Sequence, residues 1–215
     1  MGRTLSEHES KRLLAEHGVP VAPERVEHTT GGALSAADAL GYPVVVKLAG
    51  EQIAHKTERG LVRLGLRSRD EVEAAADELL RSARPEDGQV SLLIAPMLQG
   101  TRELIAGVHD DPQFGRCVML GIGGVLAEAV ADVTFRLVPI DRFDAAEMIE
   151  DLSAQAVLGP VRAEPAVDRQ ALADVLVHLS DFAASVPNLV SADVNPLIVV
   201  DGVPVAVDAL VELAT

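Results

Sequence analysis

The sequence predicts an α+β fold, on three observations. Short β-branched runs, such as 43–48 and 90–95, alternate with amphipathic segments that carry helix caps. Several strand-like runs follow one another across turn residues, Asp110-Asp111-Pro112 and Asp201-Gly202 among them. Many of them therefore connect as hairpins, which favours α+β over a doubly wound parallel sheet. Hydrophobic residues are 48% of the 215, enough to build a sizeable core.

The elements follow in order. Ser6 with Glu9 is a capping-box pair for a helix over 9–17, stopped by Gly18 and Pro20. A proline-rich extended piece over 19–26 leads through Gly31-Gly32 into an alanine-rich helix ending at Gly41. The run 43–48 is a buried strand with Lys47 near its end. Val62, Leu64 and Leu66 alternate with Arg63 and Gly65, the pattern of a half-exposed strand. Ser68 and Glu71 open another capped helix, and 84–88, with its proline and glycine, is the best candidate for a boundary. Strands are then expected over 90–95, 103–108, 116–120 and 135–139, and helices over 145–151 and 168–185. Strands over 189–200 and 203–207 close the chain.

Charge narrows the function. Lys and Arg total 18 against 33 Asp and Glu, a net charge of −15. Such a surface argues against non-specific binding to nucleic acid or anionic membrane, and 2% aromatic residues leave no base-stacking platform. Lysine is scarce, with Lys11, Lys47 and Lys56 against fifteen arginines. Cys117 is the lone cysteine, so neither an internal disulfide nor a cysteine zinc site is expected. A signal peptide and a long apolar run are both absent, which predicts a soluble cytoplasmic protein.

The C-terminal hairpin is the most informative segment. If Asp201-Gly202 is a two-residue turn, Val200 faces Val203 and Asn195 faces Asp208. Alternation then gathers Val194, Ile198, Val200, Val203, Val205 and Val207 on one apolar face, and Asp193, Asn195 and Asp208 on the other. Three oxygen-bearing side chains at one hairpin end suit Mg²⁺; the alternative is a solvated strand end. Lys47 is either a phosphate contact or a lysine snorkelling from a strand terminus. Residues 50–57, GEQIAHKT, nearly match a phosphate-binding loop, but His55 replaces the second glycine and a strand follows where a helix is required. What remains is a polar loop whose His55 is either solvated or able to accept a phosphoryl group or a proton. Gly121 to Gly124 could offer N–H groups to an anion or simply turn tightly. Glu103 and Glu128 each read as surface charges. Residues 94–98 form an apolar segment in which Pro96 breaks the strand and leaves main-chain groups for a purine edge. No Ser-His-Asp arrangement stands out, and the other histidines look incidental.

These residues occur in an ordered series: GYPVVVKL (41–48), IAHKTERGLVRLGL (53–66), ELIAGVHDDPQFG (103–115), GIGGVLAEAVADVTFRLVP (121–139), DVNPLIV (193–199) and VAVDAL (205–210). The series resembles the ATP-grasp β subunit of ADP-forming acyl-CoA (acetate–CoA) ligases, and is similar to the β subunit of succinyl-CoA synthetase. The resemblance implies an ATP-grasp fold of two lobes, 1–95 and 96–215, with nucleotide between them. It implies that Lys47 contacts the phosphates of ATP or ADP. Ala95, Met97 and Leu98 would form the adenine hinge, and Glu103 would bind nucleotide. Asn195 and Asp208, with Asp193, would hold Mg²⁺, and His55 would relay phosphate. A CoA-binding α subunit, or a fusion partner, is implied as well. Two rival readings are another ATP-grasp carboxylate ligase working through an acyl-phosphate, and a nucleotide-sensing lobe of an acyltransferase system. Leu61 stands where the family usually has glycine, and Asp193 where it usually has glutamate.

Overall fold

The structure, a computed structural model, describes residues 2–50, 53, 59–124, 131–161 and 163–215. The chain divides into two compact units, Met1–Val21 with Gln99–Thr215, and Ala22–Leu98. It opens in the larger unit with β1 (Arg3–Thr4) and α1 (Glu7–Glu16). Ser6 and Glu9 form the expected capping box, so α1 begins at Glu7, directly after the cap and two residues earlier than the apolar pattern suggested.

The smaller unit contains β2 (Arg25–Glu27), α2 (Thr30–Leu40), β3 (Val44–Gly50), β4 (Val62–Leu66), α3 (Arg69–Arg81) and β5 (Val90–Pro96). Thr29 and Ser68 cap the two helices, accepting from the N–H groups of Gly32 and Glu71. The sheet order is β2-β5-β3-β4, antiparallel throughout. Val44, Val46 and Leu48 are buried with Ala33, Ala37, Val72, Ala76 and Leu79 of the helices. Val45, Lys47 and Ala49, on the other face of β3, are buried too. That is why the run lacks alternation; each aliphatic side chain so removed from water contributes about 1.5–3 kcal/mol.

The larger unit continues with β6 (Glu103–Asp111), β7 (Gly115–Ile122), β8 (Val133–Leu137), α4 (Arg142–Glu150), α5 (Gln155–Leu158), α6 (Arg169–Ser185), β9 (Leu189–Val200), β10 (Val203–Ala206) and β11 (Ala209–Leu213). Its strands run β1-β11-β9-β6-β7-β8, with β10 paired to the far end of β9. Leu104, Ala106, Val108, Val118, Leu120, Ala192 and Val194 meet Met148 and Ile149 of α4 and Leu172, Leu176, Leu179 and Phe182 of α6 in one core. The caps are Asp141 for α4 and Asp168 for α6. No helix among the described residues is long and apolar enough to cross a membrane.

The division differs from the expected 1–95 and 96–215. β5 runs on to Pro96, which lies opposite Val44, so Pro96 ends the strand without breaking it and the smaller unit closes at Leu98. The first residues are bound to the C-terminal strands instead. Arg3 pairs with Leu213, the Leu5 N–H donates to the Val211 carbonyl at 2.9 Å, and Ala206 donates to Pro20 at 2.9 Å. Segment 84–88 is no boundary either. Asp87, 2% exposed, receives two hydrogen bonds from Arg59 at 2.7 and 2.9 Å and one from the Arg84 N–H at 2.8 Å. The turn Pro85–Asp87 is thereby tied into its own unit.

Candidate functional site

The turn between β9 and β10 forms where its two residues required it. Asp201 and Gly202 have φ of +50° and +88°, the left-handed pair that a type I′ turn demands. Val203 pairs with Val200 and Ala206 with Leu197. Beyond a step at Val207-Asp208 the same register resumes, with Ala209 opposite Val194 and Leu210 opposite Asp193. Within the step, the Asn195 N–H donates to the Asp208 carbonyl at 3.3 Å and the Val207 N–H to Pro196 at 3.0 Å. Asn195 therefore stands opposite Asp208, as the spacing predicts.

The faces differ from the expectation. Ala192 and Val194 are buried below Asn195, but above it Leu197 and Val199 are buried while Ile198 and Val200 are not. The partner strands change at the same level, from buried Ala209 and Val211 to buried Pro204 and Ala206. Leu104 of β6 pairs with Leu197 and Ala106 with Val194, so β9 carries one extra residue at Asn195-Pro196. This β-bulge exchanges the two faces and re-aims the side chains around it.

At this level the larger unit presents Asp193, Asn195 and Asp208. Asp193 is solvent-exposed, yet its carboxyl is held above the usual carboxylate range, first by the protein packed around it and second by the negative charge of Asp208. Two carboxylates close enough to repel, with Asn195 opposite one of them in the register, are an all-oxygen donor set that suits a divalent cation. No group of three or more His, Cys, Asp or Glu is gathered for a metal among the described residues. By its donor chemistry the set is of the kind Mg²⁺ takes, one or two carboxylates with the shell completed by water and phosphate, and it lacks the histidine and cysteine ligands typical of zinc. Opposite Asp193 lies Gly107, where a Cβ would come within 2.6 Å of the Ala192 carbonyl oxygen; β6 and β9 approach closely there because the position is glycine.

Glu103, half-buried, opens β6 opposite Ile198. Its carbonyl accepts from the Gly123 N–H at 2.8 Å, and the Ile122 N–H is spent on Asp132 at 3.0 Å. The glycine run is thus a close-packed turn around Glu103, and these two N–H groups do not face an anion. Arg102, one residue earlier and 4% exposed, was not singled out by sequence. It donates to the carbonyls of Gly159 at 2.9 Å and Pro165 at 2.6 Å, and to Glu164 at 3.3 Å. Its one sequence signal is its place immediately before Glu103.

In the smaller unit Lys47 occupies the central strand, 6% exposed, opposite Leu93 and Val62. Its face of the sheet is a small apolar patch that includes Ala49, Leu93 and Ala95. An ammonium kept there calls for anionic or polar partners. Ala95 pairs with Val45, and the Met97 N–H donates to the Pro43 carbonyl at 2.9 Å, so neither faces an open edge. Main-chain groups alternate edges along a strand, so the carbonyl of Pro96, the last residue of β5, points the other way, past Ile94, the last residue paired with β2.

His55 and Glu128 lie outside the described residues. Downstream of His55, Arg59 is held by Asp87, whose carboxyl is pulled down to about 2, first by the Arg59 hydrogen bonds and then by the Arg84 N–H. Leu61 is 2% exposed and packs in the core of its unit, a sufficient reason for a large side chain there.

A family model described as an ATP-grasp domain matches residues 1–213. The β subunit of ADP-forming acetate–CoA ligase II from Pyrococcus furiosus is 38% identical over 203 residues, 92% of this chain and 86% of that one. Among solved structures, dinucleotide-forming acetyl-coenzyme A synthetase 1 of Ca. Korarchaeum cryptofilum, in complex with coenzyme A and Ca-AMPCP, is similar with a TM-score of 0.91 at 32% identity, over 99% of this chain and 94% of that chain. A structure of the same synthetase with coenzyme A and Mg-AMPPCP, its phosphohistidine segment pointing towards the nucleotide binding site, gives 0.85 at 33% identity, over 99% and 93%. With the antiparallel sheets of both units and an unbroken match, the chain belongs to the ATP-grasp family, alongside the β subunits of ADP-forming acetate–CoA ligases.

Proposed function

We propose that this chain is the nucleotide-handling β subunit of a cytoplasmic ADP-forming acyl-CoA synthetase, interconverting acyl-CoA, ADP and phosphate with carboxylate, CoA and ATP. Its partner is a CoA-binding α subunit or the equivalent part of a fused chain. The observation that carries the reading is the corner at which Asn195 opposes Asp208 while the charge of Asp208 bears on Asp193.

In this reading Asp193, Asn195 and Asp208 hold Mg²⁺, which when bound neutralises charge on the phosphoryl oxygens. Lys47 supplies a point charge to the same phosphates, and its dry surroundings strengthen that attraction. Local cations are indispensable in a chain of net charge −15 that takes a polyanion. The 95–98 segment takes the base: Ala95 and Met97 contribute side-chain surface, and Leu98 contributes the main-chain groups that β3 leaves open. Glu103, set by Arg102 and the Gly123 N–H, accepts from the nucleotide's hydroxyl or amino groups. His55 carries the phosphoryl group. Its N–P bond breaks as the terminal oxygen of ADP forms the new P–O bond, and the histidine leaves neutral.

The test uses the chain with its α subunit and acetyl-CoA, ADP and ³²P-phosphate. ATP formation together with an acid-labile label that His55→Ala abolishes is the expected result. ATP formation that survives His55→Ala points to an acyl-phosphate ligase instead. Nucleotide binding without ATP formation from any acyl-CoA leaves a sensing lobe, and either outcome overturns the reading.

A further inference from the structure

Helix α1 reaches the acidic corner with two polar side chains. Lys11 is 1% exposed, and its Nζ donates to the Val207 carbonyl at 3.2 Å. The adjacent Ser10, fully buried, accepts from the Val211 N–H at 3.0 Å. Both bonds go to main chain, one directly before Asp208 and one three residues beyond it. Between these pins lies the step where β10 ends and β11 begins, the stretch in which Asn195 meets Asp208. Burying an ammonium is costly unless it is well partnered, and the Val207 carbonyl is one of the groups that partner this one. Glu7, also buried, stands one turn earlier on the same stripe of the helix, so α1 brings a charged pair of positions to this spot.

We infer that Lys11, with Ser10, is a positioning residue for the cation site: α1 clamps the Val207-to-Val211 corner and so fixes Asp208 opposite Asn195 and beside Asp193. The inference rests on the reading of those three residues as the cation site. It gives a reason for Met1–Val21 to join the unit of Gln99–Thr215. The first helix buttresses a corner that the β9–β10 turn alone leaves broken at Val207-Asp208.

The experiment is a double-mutant cycle on the full chain: wild type, Lys11→Met, Asp208→Asn and the double variant. Mn²⁺ alone is the probe, titrated by EPR, with thermal melting in EDTA as the control for folding. Lys11→Met is expected to weaken Mn²⁺ binding about tenfold, as loss of a group that orients metal ligands does. In the Asp208→Asn background the same change is expected to cost less than about twofold, because Lys11 acts through Asp208. Unchanged affinity in Lys11→Met, or an equal loss in both backgrounds, overturns the inference. If Lys11→Met does not fold, Ser10→Ala takes its place in the cycle with the same criteria. Failure of the wild type itself to bind Mn²⁺ overturns the cation site as well, so the two failures are told apart.

Discussion

Gly107 offers a direct test of how Asp193 is held. It lies buried in the middle of β6, paired with Asp193 of β9. A Cβ on it would lie 2.6 Å from the Ala192 carbonyl oxygen and 3.6 Å from the Asp193 Cα, where ordinary contact begins at 3.4 Å. Gly107→Ala therefore drives β9 back by about 0.8 Å at the level of Asp193. Overpacking against main chain costs about 1–3 kcal/mol, a Tm loss of about 2–12 °C in a chain of this size. Metal ligands tolerate displacements of only about 0.2 Å, so Mn²⁺ affinity should fall at least about tenfold. Melting in EDTA and Mn²⁺ titration read the two effects separately. Gly31→Ala in α2, where nothing lies within 4 Å of the added methyl, is the control. It should leave Mn²⁺ binding alone and stabilise by about 0.5–1 kcal/mol. A Gly107→Ala protein that melts and binds like wild type would refute the close approach of β6 and β9 as what fixes Asp193.

Lys47→Met should weaken Mg-ADP binding about ten- to hundredfold, the worth of one charged phosphate contact; calorimetric titration with unchanged affinity would remove Lys47 from the site. Arg102→Ala leaves the Gly159 and Pro165 carbonyls and Glu164 without their donor and should cost about 3–5 kcal/mol in urea unfolding. Arg102→Lys should recover only part, since one ammonium cannot span the guanidinium's fork. The Arg59–Asp87 pair predicts an acid-sensitive share of stability. Because the folded Asp87 carboxyl titrates near 2 and the ordinary value is 3.8, that share is full above 3.8 and is lost as pH falls towards 2. The melting difference between wild type and Arg59→Met should shrink across that window, and a difference constant down to pH 2 would contradict it.

What the sequence disclosed was whatever short-range chemistry decides. The Ser6–Glu9 capping box and the Asp201-Gly202 turn are settled by residues within four of each other, and both form as read. The Asn195–Asp208 pairing follows from that turn by counting alone. The exchange of faces at Asn195-Pro196 was not legible, because it arises from the register of β6, some ninety positions away. The division into units failed for the same reason. Residues 1–21 look like the start of the first lobe until Leu5, Pro20 and Val21 are seen bonded to the last strands. Within the proline-interrupted segment 94–98, the Met97 N–H is taken by Pro43, fifty-four positions back, a pairing that local sequence does not disclose.

One compositional signal pointed further than any motif. The arginines do the surface work, in pairs such as Arg63–Glu78, Arg136–Asp151, Arg142–Asp174 and Arg169–Glu150, each worth at most about 1 kcal/mol. The two described lysines, Lys11 and Lys47, are both buried, one beside the carboxylate corner and one in the central strand of the other unit. In an acidic chain that uses arginine almost everywhere, both described lysines are buried, and lysine brings a compact point charge where arginine would bring a planar fork. Arg102 is the buried exception that supports the rule, since it meets three acceptors at once and so needs the fork. Exchanging lysine for arginine at position 11 or 47 is for that reason a change of shape and donor number, even though the charge is kept.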